Sequence, residues 1–306
     1  MIVVLTLNTA VDRIMVIPGL KVGEVFRAEE SRVFAGGKGL NVVRVVRELG
    51  SPVRVVGFLG GTPVGFIQSE CERMGIETHW APTAGETRTC VIAVDPHESQ
   101  TVLNEPGPRI LPAEIERLAG AIREATSPGD LLCISGSAPP GVPDYFYREV
   151  VAEQQSRGIR VLVDVSGLPL RLAWEARPWA VKPNLAEARA ALGTDDDGSA
   201  MARRLSDRAE HALVTAGAEG GWYASDGQVT EYRSPSITVV NAVGSGDALA
   251  AGFLVGMNSG MTTDEAVRLG VACGAANALR LEPGVGSRDE VDRLATMAAG
   301  LTRPAS

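Results

Sequence analysis

The chain reads as an α/β protein: a mostly parallel sheet with helices on both faces, and a small antiparallel sheet standing beside it. Short apolar β runs alternate with helical patterns along most of the 306 residues, the order that builds a parallel sheet. Two stretches, 11–33 and 76–103, break that rhythm. They are rich in Val, Thr and Arg with turn residues between, as antiparallel strands are.

Taken in order, the predicted strands are 3–7, 53–58, 131–135, 160–164, 180–182 and 212–215. The predicted helices are 39–49, 63–74, 112–125, 145–155, 185–192, 246–258, 263–280 and 288–299. The first strand opens on Met1-Ile2-Val3-Val4-Leu5-Thr6-Leu7, which lacks the basic region and small-residue cleavage site of a signal peptide. Helix 39–49 opens at a glycine turn, helix 185–192 at Asn184, and the Ala-rich helix 246–258 at Gly244-Ser245-Gly246. No linker separates two independent domains, so residues 1–306 are expected to form one domain. The interrupting stretches 11–33 and 76–103 would then stand over it as a lid.

Composition narrows the function. A hydrophobic fraction of 45% supports a sizeable core, and the formal net charge of −8 with no Lys/Arg run argues against a nucleic-acid groove. No apolar run reaches the length of a membrane span. Cys71, Cys90, Cys133 and Cys273 form no CxxC pair, so neither a zinc site nor a disulfide framework is indicated, and a reduced, cytoplasmic protein is expected. His79, His97 and His211 show no metal spacing. GxGxxG and GxSxG are both absent.

The residues that can carry chemistry cluster at turns after strands. In Val243-Gly244-Ser245-Gly246-Asp247 a β-branched run ends, the chain turns on small residues, and a helix starts with one carboxylate in its first turn. The first amides of a helix have no intrahelical partners. The motif therefore combines an anion hole with a general base, and phosphoryl transfer to a hydroxyl needs both. Gly36-Gly37-Lys38-Gly39-Leu40-Asn41 brings a close backbone, a positive charge and free helix amides, suited to an anionic or polyhydroxylated ligand. It is not a P-loop, because Gly39 rather than Ser or Thr follows Lys38.

In Lys182-Pro183-Asn184-Leu185-Ala186-Glu187, Asn184 and Glu187 have capping-box spacing. The same two residues, facing phosphates, suit a magnesium ion held through water. Thr215-Ala216-Gly217-Ala218-Glu219-Gly220 is a strand end with a glycine turn that could carry nucleotide phosphates. Ser137 follows the strand 131–135 and could donate to a substrate oxygen; Asp12 follows the first strand and could bind sugar hydroxyls. Arg27 and Arg88, one in each lid segment, would matter if both reached one phosphate. For most of these motifs a plain tight turn explains the residues equally well.

Jointly, the chain resembles the ribokinase-like (PfkB) carbohydrate kinase family. Ala35 to Val42 looks like its N-terminal signature, Asn241 to Asp247 like its C-terminal one, and Asn184 with Glu187 matches its NxxE element. The stretches Thr6 to Asp12, Gly85 to Cys90, Leu103 to Pro108 and Ser135 to Gly141 resemble the hexose-phosphate kinase branch, which holds tagatose-6-phosphate kinase and 1-phosphofructokinase. The branch usually has proline where this chain has Thr9. The C-terminal signature often begins Asp-Thr, and here it is Asn241-Ala242, in a region that helps bind a monovalent cation in the wider family.

The resemblance implies a Rossmann-like core with a small β lid and a homodimer formed through the lids. It implies ATP and Mg2+ as cofactors and a sugar phosphate as the small-molecule partner. It makes Asp247 the base and Gly244, Ser245 and Gly246 the anion hole. Asp12, Arg27, Gly37, Lys38, Asn41, Arg88 and Ser137 would bind the sugar phosphate, with Arg27 reaching across the dimer interface. Lys182, Asn184, Glu187, Thr215, Gly217, Gly220 and Asn277 would serve the nucleotide, Asn277 near its base and Glu187 with Asn184 near the metal. The expected reaction is ATP-dependent phosphorylation of a ketohexose phosphate, tagatose 6-phosphate or fructose 1-phosphate, to the bisphosphate. The stretches Glu86-Thr87-Arg88 and Asn104 to Pro108 tilt the reading to tagatose 6-phosphate. The alternatives are a kinase of an unphosphorylated sugar or nucleoside, and a regulator that binds without turnover.

Overall fold

The computed structural model describes residues 1–96, 100–299 and 303–304, so His97 and a few lid residues beside it lie outside the described residues. The chain runs β1 (Ile2–Thr6), β2 (Ala10–Val16), β3 (Glu30–Gly36), α1 (Lys38–Glu48), β4 (Val53–Leu59), α2 (Val64–Arg73), β5 (Glu77–Pro82), β6 (Arg88–Val94) and β7 (Gln100–Asn104). It continues through α3 (Pro112–Ala125), β8 (Leu131–Ser135), α4 (Phe146–Ser156), β9 (Arg160–Asp164), α5 (Gly167–Glu175), β10 (Ala180–Val181), α6 (Leu185–Leu192), α7 (Gly198–Ser206) and β11 (His211–Thr215). The last part is β12 (Gly221–Ser225), β13 (Gln228–Tyr232), α8 (Ser245–Asn258), α9 (Thr263–Ala278), α10 (Arg288–Ala299) and β14 (Arg303–Pro304).

Among the described residues the large sheet has the order β14-β13-β12-β11-β10-β9-β8-β1-β4-β5. It is parallel from β11 to β5, and β12, β13 and β14 extend it antiparallel. Burial on both faces explains why its central strands are apolar throughout. In β1, Ile2 and Val4 join the core under α1, α8 and α9, while Val3 and Leu5 join the core under α3, α4 and α5. The predicted α/β architecture is therefore present, with α5, α7 and the β12–β13 hairpin added to the elements expected.

The second sheet has the order β3-β2-β6-β7. Its outer pairs are antiparallel and its central pair, β2 with β6, runs parallel. The expected lid boundary is corrected at one point. Residues 77–82 do not belong to the small sheet: β5 pairs parallel with β4 at the edge of the large one, because α2 returns the chain to the same sheet. Ile14, Phe34, Ile92 and Val94 form the small sheet's own core, and Val243 and Leu281 pack against it. Thus one face of the small sheet rests on the turn that precedes α8.

Helix α8 is buried from Asp247 to Gly256. It lies close on α9: a Cβ at Gly252 would come within 2.8 Å of the Gly270 Cα and the Cys273 sulfur. That tight seating fixes the start of α8 relative to α1 and the strand ends. Among the described residues no helix is long and apolar enough to cross a membrane.

Candidate active site

A cleft of about 710 Å³ opens where the carboxyl ends of the parallel strands meet the small sheet. Asp12, Gly37, Lys38, Asn41, Arg88, Lys182, Asn184, Glu187, Thr215, Gly217, Gly220 and Gly244 to Asp247 all line it. Sequence positions more than two hundred apart are thereby brought to one wall.

The turn before α8 has the geometry the glycines permit. Gly244 sits at φ 85°, in the left-handed region, and caps the helix. The amides of Ser245 and Ala248 are taken by the carbonyls of Ala242 (3.2 Å) and Gly244 (2.8 Å). The Gly246 and Asp247 amides between them are left for a ligand, at the positive end of a fourteen-residue helix. The Lys182 ammonium adds charge there: a Cβ placed on Gly246 would lie 3.4 Å from its Nζ.

The Asp247 carboxylate is buried, 5% exposed, and its Oδ2 accepts a 2.9 Å hydrogen bond from Asn41 Nδ2. Burial pushes its carboxyl up to about 6, against the pull of Lys38. Asp164, which the sequence reading did not single out, is fully buried at the end of β9. Its two oxygens lie 3.6 Å from Lys38 Nζ and 3.2 Å from Lys182 Nζ. Asp164 holds the Lys38 ammonium well above its ordinary range, so Lys38 stays charged in the cleft.

At the other end of the cleft, Asp12 Oδ2 accepts from the Gly37 amide at 3.1 Å, while its buried Oδ1 has no hydrogen-bond partner. Burial raises this carboxyl above its usual value; the Gly37 amide, Arg88 and Arg44 work the other way. An acceptor left open in that position suits a ligand hydroxyl. Arg88 donates from Nε to the Asn8 carbonyl (3.2 Å) and from Nη1 to the Glu105 carbonyl (3.1 Å), which fixes the fork and leaves its remaining N–H groups for an anion.

Asn184 and Glu187 form the capping box expected of them. Asn184 Oδ1 accepts from the Glu187 amide and Glu187 Oε2 from the Asn184 amide, each at 2.9 Å. Glu187 Oε1 remains at the cleft, 3.9 Å from Lys38 Nζ. Among the described residues no three acidic, Cys or His side chains group as a metal cage. A magnesium ion brought in with phosphates would find Glu187 Oε1 as an acidic oxygen free to take its water ligands. Thr215 and the turn of Gly217 (φ 60°) to Gly220 (φ 100°) border the same end, against an apolar wall of Val271, Ala275 and Ala278. That wall and turn fit a nucleotide base and its phosphates.

Three expected site residues lie elsewhere. Asn277 does not face the cleft. It is 1% exposed, donates to the Val243 carbonyl (2.9 Å) and Ser245 Oγ (3.2 Å), and accepts from the Gly284 amide (3.0 Å). Its polar atoms are spent on the glycine turn, so it is a strut rather than a contact to a base. Arg27 is exposed in the connection between β2 and β3 and does not line the cleft. Ser137 is exposed beside the cleft, where Asn8 Nδ2 donates to its Oγ at 3.3 Å. Asn8 was missed; it ties Ser137 to the Pro106 carbonyl (3.1 Å) and so joins the strand ends to the small sheet.

Asn241 is 2% exposed, with Nδ2 donating to the Leu281 carbonyl at 2.7 Å and Oδ1 accepting from the Val243 amide at 3.0 Å. Both polar atoms of this side chain are thus held by backbone groups on either side of the glycine turn. Asn241→Asp is expected to destabilise the protein by ~2 kcal/mol, since it sets two acceptors against each other. A thermal melt checks this.

Residues 3–289 match the pfkB family of carbohydrate kinases, and the chain belongs to that family. It is similar to phosphofructokinase-2 from Escherichia coli in complex with fructose-6-phosphate, at 25% identity and a TM-score of 0.89, over 97% of this chain and 99% of that one. It is likewise similar to a protein from Thermotoga maritima described as a possible 1-phosphofructokinase, at 25% identity and a TM-score of 0.88, over 100% and 99%. A ribokinase from the same organism shares the fold, at 20% identity and a TM-score of 0.78, over 96% and 99%. The chain is thus a carbohydrate kinase with a ribokinase-like fold, and kinases of this family use ATP.

Proposed function

We propose that the protein transfers the terminal phosphoryl group of ATP to a free hydroxyl of a ketohexose phosphate, with tagatose 6-phosphate or fructose 1-phosphate as substrate. One observation carries this reading: the Asp247 carboxylate and the open amides of α8 line the same cleft as the Arg88 fork and the open Asp12 oxygen. A neutral sugar carries no anion for that fixed guanidinium to meet.

ATP with its magnesium ion supplies the transferable phosphoryl group and part of its charge neutralisation. The chain does the rest. Asp12 accepts a hydroxyl and Arg88 takes the substrate phosphate, which orients the sugar. Asp247 receives the proton of the attacking hydroxyl. The Gly246 and Asp247 amides, with Lys182 and Lys38, meet the negative charge on the transferring group; one such amide donor contributes about 3 kcal/mol. The small sheet covers the cleft and excludes water. Val33 and Leu103 are exposed on the face of this sheet away from the cleft, which supports a homodimer through it, with Arg27 serving the partner's cleft.

ADP release measured across tagatose 6-phosphate, fructose 1-phosphate, fructose 6-phosphate and the unphosphorylated hexoses tests the reading. The expected result is turnover with a phosphorylated ketohexose and a far lower kcat/KM with every free sugar. Preference for a free sugar or nucleoside would replace it, and no ADP release with any sugar would favour a binding regulator.

A further inference from the structure

Arg44 lies in α1, one turn beyond Asn41, and neither the reaction described above nor the family signatures give it a task. Its Nη2 donates to the Ala35 carbonyl at 2.8 Å, its Nη1 reaches Asn41 Oδ1 at a long 3.5 Å, and its guanidinium stacks over the Phe34 ring at 5.1 Å. Ala35 and Phe34 belong to β3 of the small sheet. Asn41 in turn gives its amide hydrogen to Asp247. A continuous chain of contacts therefore runs from the small sheet, through Arg44 and Asn41, to Asp247.

We propose that Arg44 is a positioning residue that locks the Asn41 amide with its N–H toward Asp247 and makes that lock depend on the place of β3. The proposal rests on Asp247 being the base. A primary amide can face its neighbours either way round. An ionised Asp247 enforces the donor orientation by itself, but once it has accepted a proton either orientation serves. Arg44 offers only donors, so Asn41 Oδ1 must face it whatever the protonation state of Asp247. The amide is thereby kept in the orientation that favours the ionised base for the next turnover.

Other charges act on these groups and set the background. Asp247 is faced by Lys38 from α1, by Asp164 from the end of β9 and by Lys182 from the end of β10. Arg44 is faced by Glu48, Glu282, Asp12 and Glu70. None of them substitutes for a donor on the Asn41 oxygen.

The test compares Arg44→Met, Asn41→Ala and the double variant in steady-state kinetics over pH. In Arg44→Met, kcat should fall about tenfold, as for one lost hydrogen bond to a charged group, with both KM values nearly unchanged. The acid limb of its kcat profile should move up by about one unit. The double variant should be no worse than Asn41→Ala alone, because Arg44 acts through that amide. Arg44→Lys, which cannot reach Ala35 and Asn41 together, should show the same shift in smaller measure, and it decides the matter if the methionine variant does not fold. A profile superposing on wild type, or effects that multiply in the double variant, would overturn the proposal. Asp247→Asn run in parallel separates the two failures: collapse there with a silent Arg44 variant rejects only the lock, whereas retained turnover there rejects the base itself.

Discussion

Asp247→Asn is expected to lower kcat by roughly 10²–10⁴-fold, the usual contribution of a general base, with KM for the sugar phosphate little changed. The substitution is close to isosteric, and an asparagine oxygen at this position can still accept from Asn41 Nδ2, so the local hydrogen bond survives. What goes is the ability to take a proton. Stability separates this from simple damage. Burial raises the Asp247 carboxyl to about 6 in the folded protein, so its ionised form is disfavoured by folding at neutral pH. Removing the charge should leave Tm at pH 7 unchanged or slightly higher, and that advantage should shrink as pH falls below about 6 and be gone near 3.8, where the unfolded wild-type group is protonated as well. The same sign applies to activity: wild-type kcat should decline below pH 6, as the base fills with a proton, and the residual turnover of the variant should lack that limb. Near-normal turnover in a folded variant would take the role away from Asp247.

Much of this site is legible in the sequence because the chemistry is local to strand ends. The Gly244 turn, the Gly36-Gly37-Lys38 turn and the Asn184–Glu187 box are each set by a few adjacent residues, and the structure brings all of them to one cleft. What sequence reading misses is what tertiary contact decides. Asp164 looks like the polar end of an ordinary buried strand; only the meeting of β9, β10 and α1 puts two lysines on it. Asn277 sits between cleft-lining Gly274, Ala275 and Ala278 in sequence, yet its place on the helix turns it toward the Gly284 loop and the glycine turn. Strand β5 has a composition like that of its lid neighbours, and its partner is chosen by the path of α2. The β12–β13 hairpin does carry a local signal, Asp226-Gly227, whose φ values of 49° and 73° suit a tight hairpin turn. The absence of strict alternation hides it from a reading built on periodicity.

Arg88→Ala is expected to raise KM for the phosphorylated sugar about 10–100-fold and to leave KM for ATP nearly unchanged, because a charge-assisted contact to a phosphate is worth about 1.5–3 kcal/mol. The geometry explains why the effect should be selective. Arg88 starts β6 and is anchored on the carbonyls of Asn8 and Glu105, so the fork is held in place before any ligand arrives. It belongs with Asp12 to the paired strands β2 and β6 of the small sheet, whereas the Thr215–Gly220 turn follows β11 of the large one. Loss of the anchors has a structural cost too, since Arg88 ties β1's exit to the loop after β7. Arg88→Lys separates the two contributions. It keeps the charge but cannot reproduce the fork, so it should recover part of the affinity for the sugar phosphate and little of the contact to the two carbonyls. Free hexoses give the deciding control: their weak turnover should be hardly altered by Arg88→Ala, and an equal loss with phosphorylated and free sugars would make Arg88 a brace of the small sheet rather than a phosphate ligand.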